Sequence, residues 1–150
     1  MSNTEFVYTT YIKTTPEKVW SAITTPEFCK QYWINTNVSD WKKGSKWEHV
    51  TDEGKVMVTG EVLESDPPNR LVLTWAWAED PVDSAAPSRV TFDIEAIDNM
   101  VRLNVLHDKL QAGSVMASKI AQGWPRVLSS MKSMLETGKA LDTWALKCGD

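Results

Sequence analysis

The sequence predicts an α+β domain in which an antiparallel sheet is followed by one long C-terminal helix. Three observations carry this prediction. Residues 45–107 hold a series of segments that alternate apolar and polar side chains, the period-two pattern of strands with one buried face. Residues 116–135 change to apolar spacings of three and four, the period of an amphipathic helix. Two short stretches nearer the N-terminus each open on Thr-Pro-Glu, a helix-start signal. Strands and helices are segregated along the chain, which favours an antiparallel sheet over alternating βαβ units.

Each element follows from local chemistry. Glu5–Lys13 is rich in β-branched and aromatic residues and predicts a strand with Phe6, Tyr8, Thr10 and Ile12 on one face. Thr15 can cap a helix, Pro16 suits its first position, and Glu17 suits its positive end. Val19, Trp20 and Ile23 then form a short apolar stripe. Thr25-Pro26-Glu27 repeats the signal, and a second short helix carries Phe28, Tyr32 and Trp33.

Strands are expected at Ser45–Thr51, with Trp47 and His49 on one side, and at Lys55–Glu64. Asp66-Pro67-Pro68-Asn69 is a turn, since consecutive prolines cannot feed a hydrogen-bond ladder. Leu71–Trp77 places Leu71, Leu73, Trp75 and Trp77 together. Glu79–Ser88, with Pro81, Pro87 and a Ser-Ala-Ala stretch, reads as a loop. Its Glu79, Asp80 and Asp83 are either a solvated acidic surface or a lip over a cavity mouth.

Arg89–Ile97 aligns Val90, Phe92 and Ile94, Asp98-Asn99 is a hairpin signal, and Val101–His107 aligns Val101, Leu103, Val105 and His107. The last stripe is Met116, Ile120, Trp124, Val127, Met131 and Leu135, with Gly138 as the stop. Gly123-Trp124-Pro125 interrupts it, because proline removes a helical hydrogen bond and crowds the preceding turn. Either one long helix kinks here, the reading favoured, or two helices meet with Pro125 in a first turn.

Composition excludes several functional classes. With 150 residues, one domain is expected over 1–150. Sixteen basic against 20 acidic residues leave a net charge of -4, which disfavours nucleic acid and an anionic membrane surface as partners. No apolar run approaches the ~20 residues that span a bilayer. The N-terminus has no signal-peptide pattern, so a cytoplasmic location is expected. Two distant cysteines, Cys29 and Cys148, form no zinc-binding pair, and two histidines, His49 and His107, are too few for a catalytic zinc site. No phosphate loop or nucleophile elbow occurs, so no cofactor, metal or catalytic residue is assigned. Eight tryptophans are the unusual number. They suit either a core or an aromatic-walled cavity.

Several motifs, in order, resemble the activator-of-heat-shock-chaperone-ATPase homologue family of the START-like, SRPBCC or Bet v 1-like superfamily. They are Thr15-Pro16-Glu17-Lys18-Val19-Trp20, Thr24-Thr25-Pro26-Glu27 and Trp33, then Gly60-Glu61-Val62-Leu63-Glu64. Asp66-Pro67-Pro68-Asn69-Arg70-Leu71-Val72-Leu73-Thr74-Trp75 and Ser88-Arg89-Val90-Thr91-Phe92 follow, then Leu106-His107-Asp108. Gly123-Trp124-Pro125-Arg126-Val127-Leu128 and Leu135-Glu136-Thr137-Gly138 complete them. The resemblance implies a helix-grip fold, with a curved antiparallel sheet of six or seven strands wrapped around the C-terminal helix and two short helices after the first strand. A hydrophobic cavity often lies between sheet and helix in such folds.

The leading expectation is therefore a binder of a small hydrophobic or amphipathic ligand such as a lipid, polyketide or aromatic metabolite. Cavity candidates are Tyr8, Trp47, Trp75, Trp77 and Phe92 on strands, with Met116, Ile120, Trp124, Met131 and Met134 opposite on the helix. Each of these also suits a plain core role. Tyr8, Thr10, His49, Arg89 and His107 are the polar groups expected nearby. His107 is either a polar anchor for a ligand or a histidine satisfied by Asp108 or a backbone group. The alternatives are a chaperone cofactor or stress-response adaptor acting through its surface, and a cyclase- or hydrolase-type enzyme. A monomer or weak dimer is expected.

Overall fold

The computed structural model describes residues 3–33, 35–78 and 87–141. Strand β1 (Asn3–Ile12) is followed by helices α1 (Pro16–Thr24) and α2 (Pro26–Trp33). Six strands come next: β2 (Thr36–Ser39), β3 (Lys46–Val50), β4 (Val56–Asp66), β5 (Arg70–Trp77), β6 (Ser88–Ile97) and β7 (Met100–Gln111). Helix α3 (Val115–Thr137) closes the order. All pairings are antiparallel, and the sheet runs β1-β7-β6-β5-β4-β3-β2. Strands β2 to β7 thus form a meander, and β1 returns to the far edge beside β7. This is the helix-grip arrangement, a curved sheet with α3 across its inner face.

Local signals behave as the chemistry requires. The Thr15 side chain accepts from Lys18 N–H, with Pro16 in the first turn of α1. Ser114 caps α3 by accepting from Ala117 N–H at 3.0 Å. Gly138 ends that helix in the left-handed conformation, φ 85°, where a residue without Cβ is unstrained.

Two expectations are corrected. The short edge strand β2 was not resolved from the sequence, because four residues carry too little alternation to register. Strand β7 also runs four residues past His107, although Lys109 takes a positive φ of 59°. The extension is supported from outside the segment, since Asn3 and Thr4 pair with Gln111 and Leu110.

Helix α3 is one continuous helix through Pro125, so the two-helix alternative is set aside. A proline inside a helix costs about 3 kcal/mol or more. Met116, Ile120, Trp124, Val127, Leu128, Met131 and Met134 are all buried on this helix, on both sides of the proline. At about 1.5–3 kcal/mol for each fully buried large apolar side chain, their burial outweighs the proline several-fold.

One glycine positions the interior. A Cβ at Gly60 would lie 2.0 Å from the Thr74 carbonyl oxygen and 2.5 Å from Trp47 Nε1. Gly60 is Trp47's cross-strand partner, and Trp47 Nε1 donates to Thr74 O at 2.7 Å. The indole of β3 therefore reaches over β4 to the backbone of β5, which is possible only where β4 lacks a side chain.

The opposite face of the sheet carries charge. Arg70 bonds Asp93 at 2.7 Å, Arg89 makes a two-pronged pair with Asp108 at 3.0 and 2.6 Å, and Arg102 pairs with Glu95. No helix among the described residues is long and apolar enough to cross a membrane.

Candidate functional site

Period two in the strands brings the sequence-nominated aromatics to the inner face, and α3 meets them there. Trp47 and Trp75 pack with ring centroids 5.3 Å apart. Trp75 lies 5.5 Å from Trp124 of α3, and Phe92 meets Trp124 edge-on at 5.8 Å. Trp33, from the end of α2, bridges Trp124 at 5.7 Å and His49 at 4.5 Å. Met116, Ile120 and Met131 join the same buried core. Tyr8 lies on the same face and is only half-buried, stacked on Phe6 at 6.5 Å. Trp77 is also half-buried, at the end of β5. The acidic residues expected to form a lip, Glu79, Asp80 and Asp83, lie outside the described residues, as does Cys148.

His107 is fully buried and has two side-chain partners. Trp124 Nε1 donates to its Nδ1 at 3.0 Å, and Ser88 Oγ lies 2.7 Å from its Nε2. An indole nitrogen can only donate, so Nδ1 is the acceptor and the proton of the neutral ring sits on Nε2, pointing at Ser88. The Ser88 hydroxyl donates onward to the Trp75 carbonyl at 3.2 Å. Burial pushes the His107 pKa down from 6.5 to about 3, only partly offset by the Asp108 carboxylate. The imidazole is therefore neutral at pH 7, as this chain of donors requires.

The Ser88–His107 distance is that of a nucleophile and its base, but the polarity is reversed. In this tautomer the nitrogen facing Ser88 has no lone pair to take the serine proton, and the lone pair on Nδ1 is held by Trp124. The expectation that His107 is satisfied by Asp108 or backbone is also corrected. Asp108 points to the other face, where Arg89 holds its carboxyl below the usual carboxylate range. Arg89, expected beside the aromatic walls, is on that other face too, because it is out of phase with Val90, Phe92 and Ile94.

His49 is likewise locked. Asn37 Nδ2 donates to Ile23 O at 2.9 Å, which turns its Oδ1 towards His49 Nδ1 at 2.8 Å. His49 therefore carries its proton on Nδ1, and Asn35 Nδ2 faces its other nitrogen at 3.5 Å. Burial lowers its pKa to about 4. His49 and His107 share the aromatic cluster but are bridged by Trp33 and Trp124 rather than bonded to each other. No group of His, Cys, Asp and Glu suited to a metal ion occurs among the described residues.

Ser88, Asn37 and Trp33 complete these networks and were not nominated from the sequence. Ser88 could have been found by extending the Val90, Phe92, Ile94 phase one step back. Asn37 carried no such signal. An open depression of about 600 Å³ on the opposite face is a different environment. It is bordered mostly by polar side chains, and its three charged groups, Asp93, Glu95 and Arg102, are already paired.

Comparisons with known proteins agree with this architecture. Protein MLL2253 from Mesorhizobium loti is 25% identical, with a TM-score of 0.75, over 88% of this chain and 96% of that one. The Aha1 dimer from Colwellia psychrerythraea is 22% identical, with a TM-score of 0.74, over 91% and 99%. CalU16 from Micromonospora echinospora is 16% identical, with a TM-score of 0.73, over 97% and 81%. No curated protein sequence matches the chain. The profile of the family described as "Activator of Hsp90 ATPase homolog 1-like protein" matches residues 13–136. On that match, spanning most of a helix-grip domain, the chain belongs to the Activator of Hsp90 ATPase homolog 1-like family.

Proposed function

We propose that this protein binds a small, largely apolar ligand between the inner face of the sheet and helix α3. The observation that carries the reading is incomplete burial on that inner face. Side chains gripped between a sheet and a helix are buried when the space is filled. Phe6, Tyr8, Trp33 and Trp77 pack on the core yet keep partial exposure, around the buried Trp47, Trp75 and Trp124. Aromatic walls with a few fixed polar groups are the usual lining of a ligand pocket. Methionines 116, 131 and 134 on the helix side can repack around differing shapes. Binding would draw on apolar burial, about 25 cal/mol per Å² before ordering costs.

The test is an indole and amide NMR titration with fatty acids, sterols, flavonoids and polyketide analogues. Saturable shifts centred on Trp33, Trp47, Trp75 and Trp124 are expected for at least one class. Shifts scattered over the outer face, with the cluster unmoved, would overturn the reading.

The family description favours a second reading, a chaperone cofactor acting through its surface. It predicts a change in the rate of ATP hydrolysis by an Hsp90-type chaperone. An enzymatic role through Ser88 and His107 is disfavoured by the tautomer. A weak homodimer also belongs to the proposal, since one structural relative was solved as a dimer. Sedimentation across a concentration series tests it.

A further inference from the structure

Among the described residues, one buried polar atom of the aromatic cluster is left unused. Trp47 Nε1 donates to Thr74 O, Trp124 Nε1 to His107, and His49 Nδ1 to Asn37. His107 Nε2–H and the Ser88 hydroxyl are consumed in the chain that ends on Trp75 O. Trp75 Nε1 is different: it is buried and has no hydrogen-bond partner. Trp75 as a whole is 6% exposed, and its ring touches those of Trp47, Trp124 and His107. A buried donor without an acceptor is costly, and native proteins rarely leave one without a reason.

We infer that Trp75 Nε1–H is the polar anchor of the pocket, and that it selects uncharged ligands carrying a hydrogen-bond acceptor, such as an aromatic ketone. This deepens the ligand-binding reading above and rests on it. The donating anchor is neither His107 nor Ser88, because the donors of both are already engaged, His107 Nε2–H on Ser88 Oγ and the Ser88 hydroxyl on Trp75 O. The ligand must bring an acceptor, since the free group is an N–H that can only donate. The acceptor is uncharged because a carboxylate here would be desolvated beside neutral imidazoles. Arg89 and Arg102 stand on the opposite face, paired with Asp108 and Glu95. A buried anion without a partner is far more costly than a buried carbonyl. The surrounding indoles and Phe92 supply flat faces against which an aromatic ring can stack.

The test uses a matched pair of probes, benzophenone and diphenylmethane, which differ by a carbonyl in place of a methylene. Affinities for both are measured on the full chain and on Trp75→Phe. The substitution changes the pocket's volume for both probes alike, so the ketone-to-hydrocarbon affinity ratio isolates the donor. That ratio is expected to fall by roughly five- to tenfold in the variant, the range of one neutral hydrogen bond. In the unsubstituted protein, benzophenone should move the Trp75 indole proton downfield, and diphenylmethane should not. This second readout holds even if the variant fails to fold.

Binding of both probes at the cluster with an unchanged ratio and no downfield shift would overturn the anchor and leave the ligand site standing. If neither probe perturbs the cluster, the anchor is overturned for this class. Parallel silence across the wider ligand panel would then remove the ligand site as well.

Discussion

Acid loads the two buried histidines and so tests the hydrogen-bond networks directly. Both have native pKa values depressed by burial, to about 3 for His107 and about 4 for His49, against an ordinary 6.5. Between those values and 6.5 the unfolded chain binds more protons than the native one, so stability rises with pH across that window. The contribution is complete above pH 6.5 and is lost as pH falls towards the native values. At pH 5 an unfolded histidine is almost wholly protonated while both native ones stay neutral, which costs about 2 kcal/mol per residue relative to pH 8. The two together should remove about 4 kcal/mol from a total that is typically about 5–15.

Asp108 and Glu136, whose native pKa values are lowered by Arg89 and Lys132, start from ordinary values of 3.8 and 4.5. Their losses come mainly below pH 5, so that pH separates them from the histidines. Urea denaturation followed by tryptophan fluorescence at pH 8 and pH 5 measures the difference. His107→Gln, less stable at both pH values, should show only about 2 kcal/mol of acid loss, that of His49. A loss below about 1 kcal/mol in the unsubstituted protein, or a His107 imidazole seen by NMR to titrate near its ordinary pKa, would refute the reasoning.

Four further outcomes follow from the packing and the helix cap. Gly60→Ala drives a methyl group into the Thr74 carbonyl and should cost about 3 kcal/mol or more. Gly123→Ala, at a helical position with nothing within 4 Å of the added carbon, should stabilise by up to about 1 kcal/mol. Paired urea curves measure both. Trp124→Phe strips His107 Nδ1 of its donor and should cost about 3 kcal/mol or more from the lost bond and the smaller ring. Long-range ¹⁵N–¹H spectra should then show the Nε2–H tautomer no longer exclusively populated, and an unchanged tautomer would mean that Trp124 does not set it. Ser114→Ala removes the cap of α3 and should cost about 1 kcal/mol, with earlier exchange of the Ala117 amide.

How much of this was legible depends on the range of the interaction. Caps, turns and strand phase are local, and Thr15, Gly138 and the alternation around Trp75 could be read directly. Pro125 could not be decided locally, because the residues that hold α3 continuous bury themselves against a distant sheet. The end of β7 was set by its pairing with Asn3 and Thr4, not by its own sequence. The aromatic cluster was legible as a set of inward phases. Its polarity was not, since the state of His107 depends on Ser88 in β6 and Trp124 in α3, both far along the chain. Arg89 is one residue out of phase with Val90, so the period of two by itself puts it on the outer face, where it meets Asp108.

The pairing of β1 with β7 has a consequence for synthesis. Phe6 lies opposite His107, so β1 is made roughly a hundred residues before β7, its neighbour in the sheet. The meander from β2 to β6 can begin to pair as it leaves the ribosome, whereas β1 has nothing to join until β7 follows. Lys132 and Glu136 of α3 also bond Tyr11 O and Lys13 N at the end of β1, so those contacts wait longer still. Closure of the domain is therefore late and non-local, the slow class of folding step. Until then the alternating apolar residues of β1 stay unpaired in the nascent chain and open to wrong strand partners.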